Sequence, residues 1–544
     1  MFRLYYLLPL LIPLALVKGN LLGRLFHPLE RWGARLAARP ARVLAVVAAF
    51  SFSLCAALSV IGCLPRPQTH DEFGYLLLGD TFAHGRVTNP TPPLWEHFET
   101  IHQIMRPTYT AKYPPAQGLV LALGEKLGLP IIGVWLATAL ACATVSWMFM
   151  AWMPPRWALA GGLMVALHPL ILEWGQNYWG GSVALAGGAL LLGAFRRILR
   201  EPRARDAVWM GVGLAILANS RPYEGFVLGL LMMLALVIWY VEAGKVPAHI
   251  VIKRVFAPLL GVMALLAVQL GFYNWRVTGD PMVMPYVVHE ETYGIAPLFL
   301  FGTPRVEPQY RHLQIQRLQE DYLKYFESQR RSFGALMEAT GSKIWMLSQG
   351  YLWSYLLVVA LLGLPWAIMR DRWLWFALFI GLFFSIAMLL GTWVFPHYAA
   401  PAAGLFFVLV VESMRSLDAW RVGVRRPGRN IVRGLAILFV ISFFQVAVKM
   451  AAQDRTRWYF QRAKIIADLS DQPGKSLVIV KYDPDHNPNR EWVYNGADLA
   501  GEKVIFARNM DARNRELVDY YKDRKAWVLD ADAPVPTLQP YPGS

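Results

Sequence analysis

Apolar runs recur along this chain, and many reach about 18–22 residues, long enough to cross roughly 30 Å of hydrocarbon. A run of that length with so few charges has to lie in lipid or in the core of a very large domain. At 544 residues, with 56% hydrophobic and 17% charged content, the chain carries too much apolar surface for a soluble domain of its length. The runs fall near residues 43–64, 128–151, 157–173, 182–198, 207–221, 223–243, 255–274, 345–369, 373–394, 398–414 and 432–450. With an apolar N-terminal stretch over residues 1–20 they predict an all-α polytopic membrane protein of about 11–12 transmembrane helices. Pro9 and Pro13 interrupt that first stretch, and no small-residue cleavage site precedes Lys18. It reads as a retained anchor or interfacial helix rather than a removed signal peptide.

The net charge of +16 does not point to nucleic acid, because the basic residues gather in short loops between the runs. Arg24, Arg31, Arg35, Arg39 and Arg42 form one group, and Arg196, Arg197, Arg200, Arg203 and Arg205 a second. Lys245, Lys253 and Arg254 form a third, and Arg415, Arg421, Arg425, Arg426, Arg429 and Arg433 a fourth. This is the pattern of cytoplasmic loops in an inner, cell membrane, where the partner is the lipid bilayer. The alternation then places residues 65–127, 174–181, 275–344 and everything after 451 on the extracytoplasmic side. Cys55, Cys63 and Cys142 lie in or beside apolar runs without metal or disulfide spacing.

Three domains are expected. Residues 1–42 are an N-terminal hydrophobic anchor with a basic cytoplasmic segment, and 43–450 a transmembrane catalytic domain with outer loops 65–127 and 275–344. Residues 451–544 form a small extracytoplasmic α/β domain. The first outer loop ends in a short amphipathic stretch at 116–127, and the second carries a surface helix at 309–331. In the C-terminal part, strand-length runs occur at Ser476–Tyr482, Glu491–Tyr494, Lys503–Ala507 and Ala526–Leu529, with helical spacing over Asn514–Tyr521. The proline-rich tail from Ala533 reads as loose. No internal repeat is present, which weighs against the duplicated folds common among transporters.

Unusual polar residues cluster at the outer helix ends. Asp71 and Glu72 open the first outer loop. Being neighbours, they diverge on a helix, so one suits acid–base chemistry and the other orientation or hydroxyl binding; a solvated helix start accounts for them equally well. Arg221 and Glu224 interrupt an apolar stretch at a turn made by Pro222 and Gly225. Arg221 either holds a phosphate or pairs with Glu224 to pin the hairpin. Lys112, before Tyr113-Pro114-Pro115, stands where it meets a phosphate at headgroup depth or snorkels among aromatic residues. His397 and Tyr398 are candidate donors to a phosphate or sugar. Glu173, Gln176, Asn177 and Trp179, with Tyr223 and Glu224, are candidates for sugar and acceptor binding, since Trp and Tyr offer flat faces with polar tips. No residue is assigned to a metal.

These residues together resemble the GT-C superfamily of polyprenyl-phosphate-sugar-dependent membrane glycosyltransferases. The branch is that of protein O-mannosyltransferase-like and lipid A aminoarabinose transferase-like enzymes. The resemblance covers roughly residues 40–410 and rests on Asp71-Glu72 opening the first outer loop and Lys112-Tyr113-Pro114-Pro115 closing it. It implies that Asp71 is the catalytic carboxylate and that Lys112 matches the lysine of a Lys-Pro-Pro element that contacts the lipid phosphate, although here Tyr113 intervenes. The implied reaction is direct displacement with inversion at the sugar's anomeric carbon, from a polyprenyl-phosphate donor to a glycan, lipid or protein acceptor. This chemistry requires no cofactor; a divalent cation near Asp71, Glu72 and Glu173 is compatible with it but unsupported by three dispersed acids. Two other functions fit the same composition: a polyprenyl-linked lipid carrier or flippase, and an oligosaccharide polymerase or ligase.

Overall fold

The computed structural model describes residues 21–243, 246–352, 356–423 and 425–542. The expected anchor over residues 1–20 lies outside them. The described chain is mostly helical, and eight helices are long and apolar enough to cross a membrane: Pro40–Gly62, Pro130–Trp152, Gly181–Ile198, Pro222–Glu242, Ala248–Thr278, Arg372–Leu389, Ala400–Asp418 and Pro427–Ala451. This is a multi-pass membrane protein. Three more of the expected runs form shorter helices, Pro155–Leu167, Ala204–Ala218 and the broken pair Leu356–Leu361 and Leu364–Arg370. At 1.5 Å per residue, the 15 residues of Ala204–Ala218 cover about 22 Å, less than the hydrocarbon thickness. Gly363 and Pro365 interrupt the broken pair.

Gly181–Ile198 is the centre of the bundle, with 89% of its membrane window buried. Its small residues let neighbouring backbones approach; a side-chain carbon at Gly188 would lie 1.8 Å from the Pro401 carbonyl oxygen. Ala248–Thr278 is the opposite case. Only 11% of its window is buried, and Leu260, Leu265 and Val268 stay exposed, as a lipid-facing helix requires.

The long connecting segments gather at one end of this bundle. The first contributes helix His70–Ala83, a two-stranded antiparallel ribbon of β1 (Gln103–Ile104) and β2 (Thr110–Ala111), and helix Ala116–Lys126. The second contributes helices Pro285–Tyr293 and Leu313–Arg330. After the last span, helix Trp458–Ser470 leads into a four-stranded sheet. Central β3 (Lys475–Lys481) pairs in parallel with β4 (Val504–Arg508) and β5 (Arg524–Asp530), and β6 (Leu538–Pro540) pairs antiparallel with β5.

The sheet is covered on both faces, which is why β3 and β4 read as nearly continuous apolar runs. One face, with Leu477, Ile479, Ile505 and Ala507, packs on Leu77, Phe98, Met105 and Tyr109 of the first connecting segment. The other, with Val478, Val480, Val504 and Phe506, packs on Ile465, Leu469 and Trp492. The C-terminal sheet therefore shares a core with residues 77–109.

Two local expectations change. Glu491–Tyr494 is buried but joins no strand, because side chains satisfy its backbone. The Tyr482 hydroxyl accepts from Trp492 N at 3.0 Å, Glu491 Oε1 from Val493 N at 2.8 Å, and Arg462 donates to the Trp492 and Tyr494 carbonyls at 3.0 and 2.5 Å. The tail is not wholly loose, since Leu538–Pro540 completes the sheet edge.

Arg508 locks these parts together. Its guanidinium pairs with Glu491, both side chains being buried, and Nε donates to the Glu99 carbonyl at 2.6 Å. Arg508→Ala leaves Glu491 charged and buried, so we expect a loss of about 3–5 kcal/mol, read as a lower thermal unfolding midpoint in detergent.

Candidate functional site

The first connecting segment starts its helix with Thr69 as N-cap and Glu72 at the third position, a reciprocal capping box. Glu72 Oε2 accepts from Gln68 N at 2.7 Å and Thr69 N at 3.2 Å, while Oε1 accepts from Tyr178 N at 3.1 Å. Burial raises its pKa to about 7, against the opposing pull of those amide donors. Glu72 thus holds the helix start and the 174–181 turn together, and its oxygens are engaged by backbone rather than offered to a ligand. Asp71, one residue earlier and turned away, keeps its side chain 39% exposed.

Asp71 is held by Tyr113. The phenol donates to Asp71 Oδ1 at 2.5 Å, and its oxygen lies 2.8 Å from His102 Nδ1. With the phenol hydroxyl donating to Asp71, the His102 ring is the donor to the phenol oxygen, which sets its tautomer. Burial, with Lys112, His70 and His289 adding to it, keeps His102 well below the ordinary imidazole range. Its backbone adopts φ +61°, a left-handed conformation that costs a non-glycine residue about 1–3 kcal/mol and is tolerated where the surroundings demand it. Gly74 makes room for the arrangement, since a side-chain carbon there would lie 2.8 Å from the Tyr113 ring.

Arg221 sits in the break between helices Ala204–Ala218 and Pro222–Ala243. The Asn219 carbonyl in the same break accepts from Ala116 N at 2.9 Å, which brings the end of the first segment alongside. The guanidinium lies over the Tyr398 ring at 4.5 Å, and Tyr75, Glu224 and Asp71 are within electrostatic reach. Among the described residues it makes no ion pair and no side-chain hydrogen bond, so the alternative of an Arg221–Glu224 pair is not formed. Tyr75 stacks on Tyr113 with ring centroids 4.4 Å apart. Asp71's charge also reaches Tyr286, Tyr322 and Tyr398, where burial is the main cause of raised phenol pKa values.

Lys112 points elsewhere. It lies over the Tyr286 ring at 4.7 Å, with Nζ 3.5 Å from Glu290 Oε1. Burial lowers its pKa, against Glu290 and Asp71. Burial would raise Glu290, but Lys112, His289 and Arg305 outweigh it and hold the carboxyl at about 2. The residue beside Pro114 that faces Asp71 is therefore Tyr113, and sequence reasoning missed it. It also missed Glu290, although the pair His289-Glu290 in a polar connecting segment echoes His70-Asp71.

The remaining candidates divide. His397 is buried and contacts Trp179 edge-to-face at 4.4 Å, and burial and Arg221 keep it well below the ordinary imidazole range. Trp179 Nε1 donates to Thr69 Oγ1 at 2.8 Å. Gln176 is a clamp on the first span: Nε2 donates to the Cys55 carbonyl and Oε1 accepts from Ser59 Oγ, both at 2.7 Å. Asn177 stabilises its own turn, donating to the Glu173 carbonyl at 2.9 Å and accepting from Trp179 N at 3.1 Å. Tyr223 donates to the Ala387 carbonyl at 2.8 Å. The Glu173 side chain is exposed and joins none of these contacts. With Glu72 and Glu173 turned away from Asp71, the three acids do not gather; the described residues that do bring ligand atoms within 4.8 Å of one another are Asp80, His84 and Glu125. A cavity of about 370 Å³ beside the sheet is lined by Asp80, Glu125, Arg462 and Glu502, not by Asp71 or Arg221.

Losing the cap and stranding the Tyr178 amide, Glu72→Ala is expected to cost about 1–3 kcal/mol, whereas Asp71→Asn leaves thermal stability near wild type. The pH dependence follows from the raised pKa. The folded chain binds this proton more tightly than the unfolded chain, so the group's stability contribution falls as pH rises from the ordinary 4.5 to about 7. In the thermal midpoint, wild type is expected to lose ground to Glu72→Gln across that interval.

No protein-family model and no curated protein sequence matches the chain. The ArnT of Cupriavidus metallidurans bound to undecaprenyl phosphate aligns at 12% identity over 89% of this chain and 93% of that one, with a TM-score of 0.49. The Archaeoglobus fulgidus oligosaccharyltransferase in complex with zinc and sulfate aligns at 12% identity over 90% of this chain and 67% of that one, with a TM-score of 0.48.

Proposed function

We propose that the protein is a membrane glycosyltransferase that moves a sugar from a polyprenyl-phosphate donor to an acceptor on the extracytoplasmic face. The observation that carries this reading is the pairing of a half-exposed carboxylate with an uncommitted arginine at the same end of the bundle. Asp71 is aimed by Tyr113, Arg221 has donors to spare, and tyrosine rings surround both.

In the reaction, the acceptor's hydroxyl or amine attacks the anomeric carbon from the face opposite the phosphate, and configuration inverts. The new bond to carbon forms as the bond from carbon to the phosphate oxygen breaks; the acceptor proton passes to Asp71, and polyprenyl phosphate leaves as an anion. That leaving group needs no strong acid. Arg221 supplies charge where negative charge grows, with a planar fork of donors suited to phosphate. Lys112, paired with Glu290, adds no net charge there, and the half-buried rings of Tyr286 and Tyr398 offer flat surface to the sugar. The basic loops argue for the side: they belong to the cytoplasm, which leaves Asp71 and the sheet beyond it.

The test is a transfer assay with an undecaprenyl-phosphate-linked sugar, alongside a binding assay with undecaprenyl phosphate, the lipid held by the Cupriavidus protein. Asp71→Asn is expected to lower turnover by about 10²–10⁴-fold while binding stays within twofold. Arg221→Ala is expected to weaken binding of the phosphate by about tenfold, in line with loss of a charged hydrogen bond. A carrier would tolerate Asp71→Asn, and full lipid translocation by that variant would overturn the enzyme reading.

A further inference from the structure

At the end of the bundle away from Asp71, helix Gly181–Ile198 finishes with two adjacent arginines whose surroundings differ. Arg197 is satisfied: it lies over Trp147 at 3.7 Å and donates to the Gly193 carbonyl at 2.9 Å and the Trp147 carbonyl at 2.7 Å. Arg196 is not. It is only 9% exposed, and its guanidinium lies 3.9 Å from the centre of the Trp373 ring and 5.7 Å from that of Trp152. Among the described residues it makes no hydrogen bond, and its Nε is both buried and unpartnered.

Ring faces and the C-terminal dipole of its own helix favour the charge of Arg196 but leave its N–H donors unused. Arg200 and Arg372 are close enough to add positive charge, and Asp371 is the acid among its electrostatic neighbours. Asp371 is itself engaged, capping helix Arg372–Leu389 by accepting from Trp373 N at 2.9 Å. That 18-residue helix also turns its positive end toward the site. Three spans end here, Pro130–Trp152, Gly181–Ile198 and Arg372–Leu389, so the site lies where hydrocarbon gives way to headgroups.

We propose that Arg196, with Arg200 and Arg372, binds the phosphate of an anionic phospholipid, whose chains run down between the span ends while Trp152 and Trp373 flank the headgroup. The ligand is a phosphodiester anion; location at three span ends selects a lipid over free phosphate. Basic pockets between spans bind anionic headgroups, at about fivefold in affinity per basic residue near the surface.

The test uses the full-length protein purified in a nonionic detergent, with palmitoyl-oleoyl phosphatidylglycerol, the matching phosphatidylcholine, or inorganic phosphate added. Lipid retention is read by native mass spectrometry and stabilisation by the thermal midpoint. Wild type is expected to retain phosphatidylglycerol over phosphatidylcholine by at least about fivefold, and Arg196→Gln to lose that preference. Arg372→Gln, which removes an exposed charge and leaves the packing intact, is expected to reduce it about two- to threefold, so the proposal stays testable if Arg196→Gln fails to fold. Arg429→Gln, whose charge already pairs with Asp418 at 3.2 Å, should keep it. Equal retention of the two lipids by wild type, or an undiminished preference in Arg196→Gln and Arg372→Gln, overturns the proposal. Stabilisation by inorganic phosphate equal to that by phosphatidylglycerol overturns the lipid assignment.

Discussion

Glu72 ties three backbone amides from two distant stretches of chain to one carboxylate. One oxygen takes the amides of Gln68 and Thr69, and the other takes that of Tyr178, more than a hundred residues later. Buried amides need partners, and in a membrane protein they have to be found within the chain. Once Glu72 is committed this way, the geometry of a helix turns Asp71 about 100° aside, toward Tyr113 and the uncommitted face of Arg221. The two acids look alike in sequence and are opposite in use.

Helix breaks follow the same rule. At two places where a span stops near the loop end, the exposed carbonyls and amides are met by polar residues that do something else as well. The break at Asn219–Arg221 receives the Ala116 amide through the Asn219 carbonyl and presents Arg221. The break after Arg372–Leu389 is closed by Lys343 donating to the Gly391 carbonyl at 2.7 Å and by Gln329 at the Thr392 carbonyl, and it presents His397 and Tyr398. Functional candidates sit at these breaks because irregular backbone at membrane depth must be lined by polar groups.

Much of this was legible from residue order alone. Run length located the spans, period-two and short apolar runs located β3, β4 and β5, and basic loops sorted the polar clusters to one end. What composition could not reveal was commitment. Gln176 and Asn177 look like sugar ligands until their amides are seen clamping Cys55, Ser59 and a turn. Lys112 looks like a phosphate contact until Glu290, some 178 residues away, is found beside it. Glu491–Tyr494 has the apolar pattern of a strand, yet Tyr482 and Arg462 take its hydrogen bonds. In each case the deciding partner is distant in sequence, and local pattern carries no information about it.

The core shared by the sheet and the first connecting segment has a consequence for biogenesis. Asp80 receives the Ala497 amide across 417 positions of chain, and Leu77, Phe98, Met105 and Tyr109 pack against residues 477–521, which are made late. At roughly 5–20 residues per second, a ribosome needs about 20–80 s to supply that cover. Until then the nascent protein displays a greasy, half-built surface next to the bilayer. Assembly of this protein is thus paced by its carboxyl end, and a holding chaperone or the lipid surface itself has to shelter the early segment in the interval.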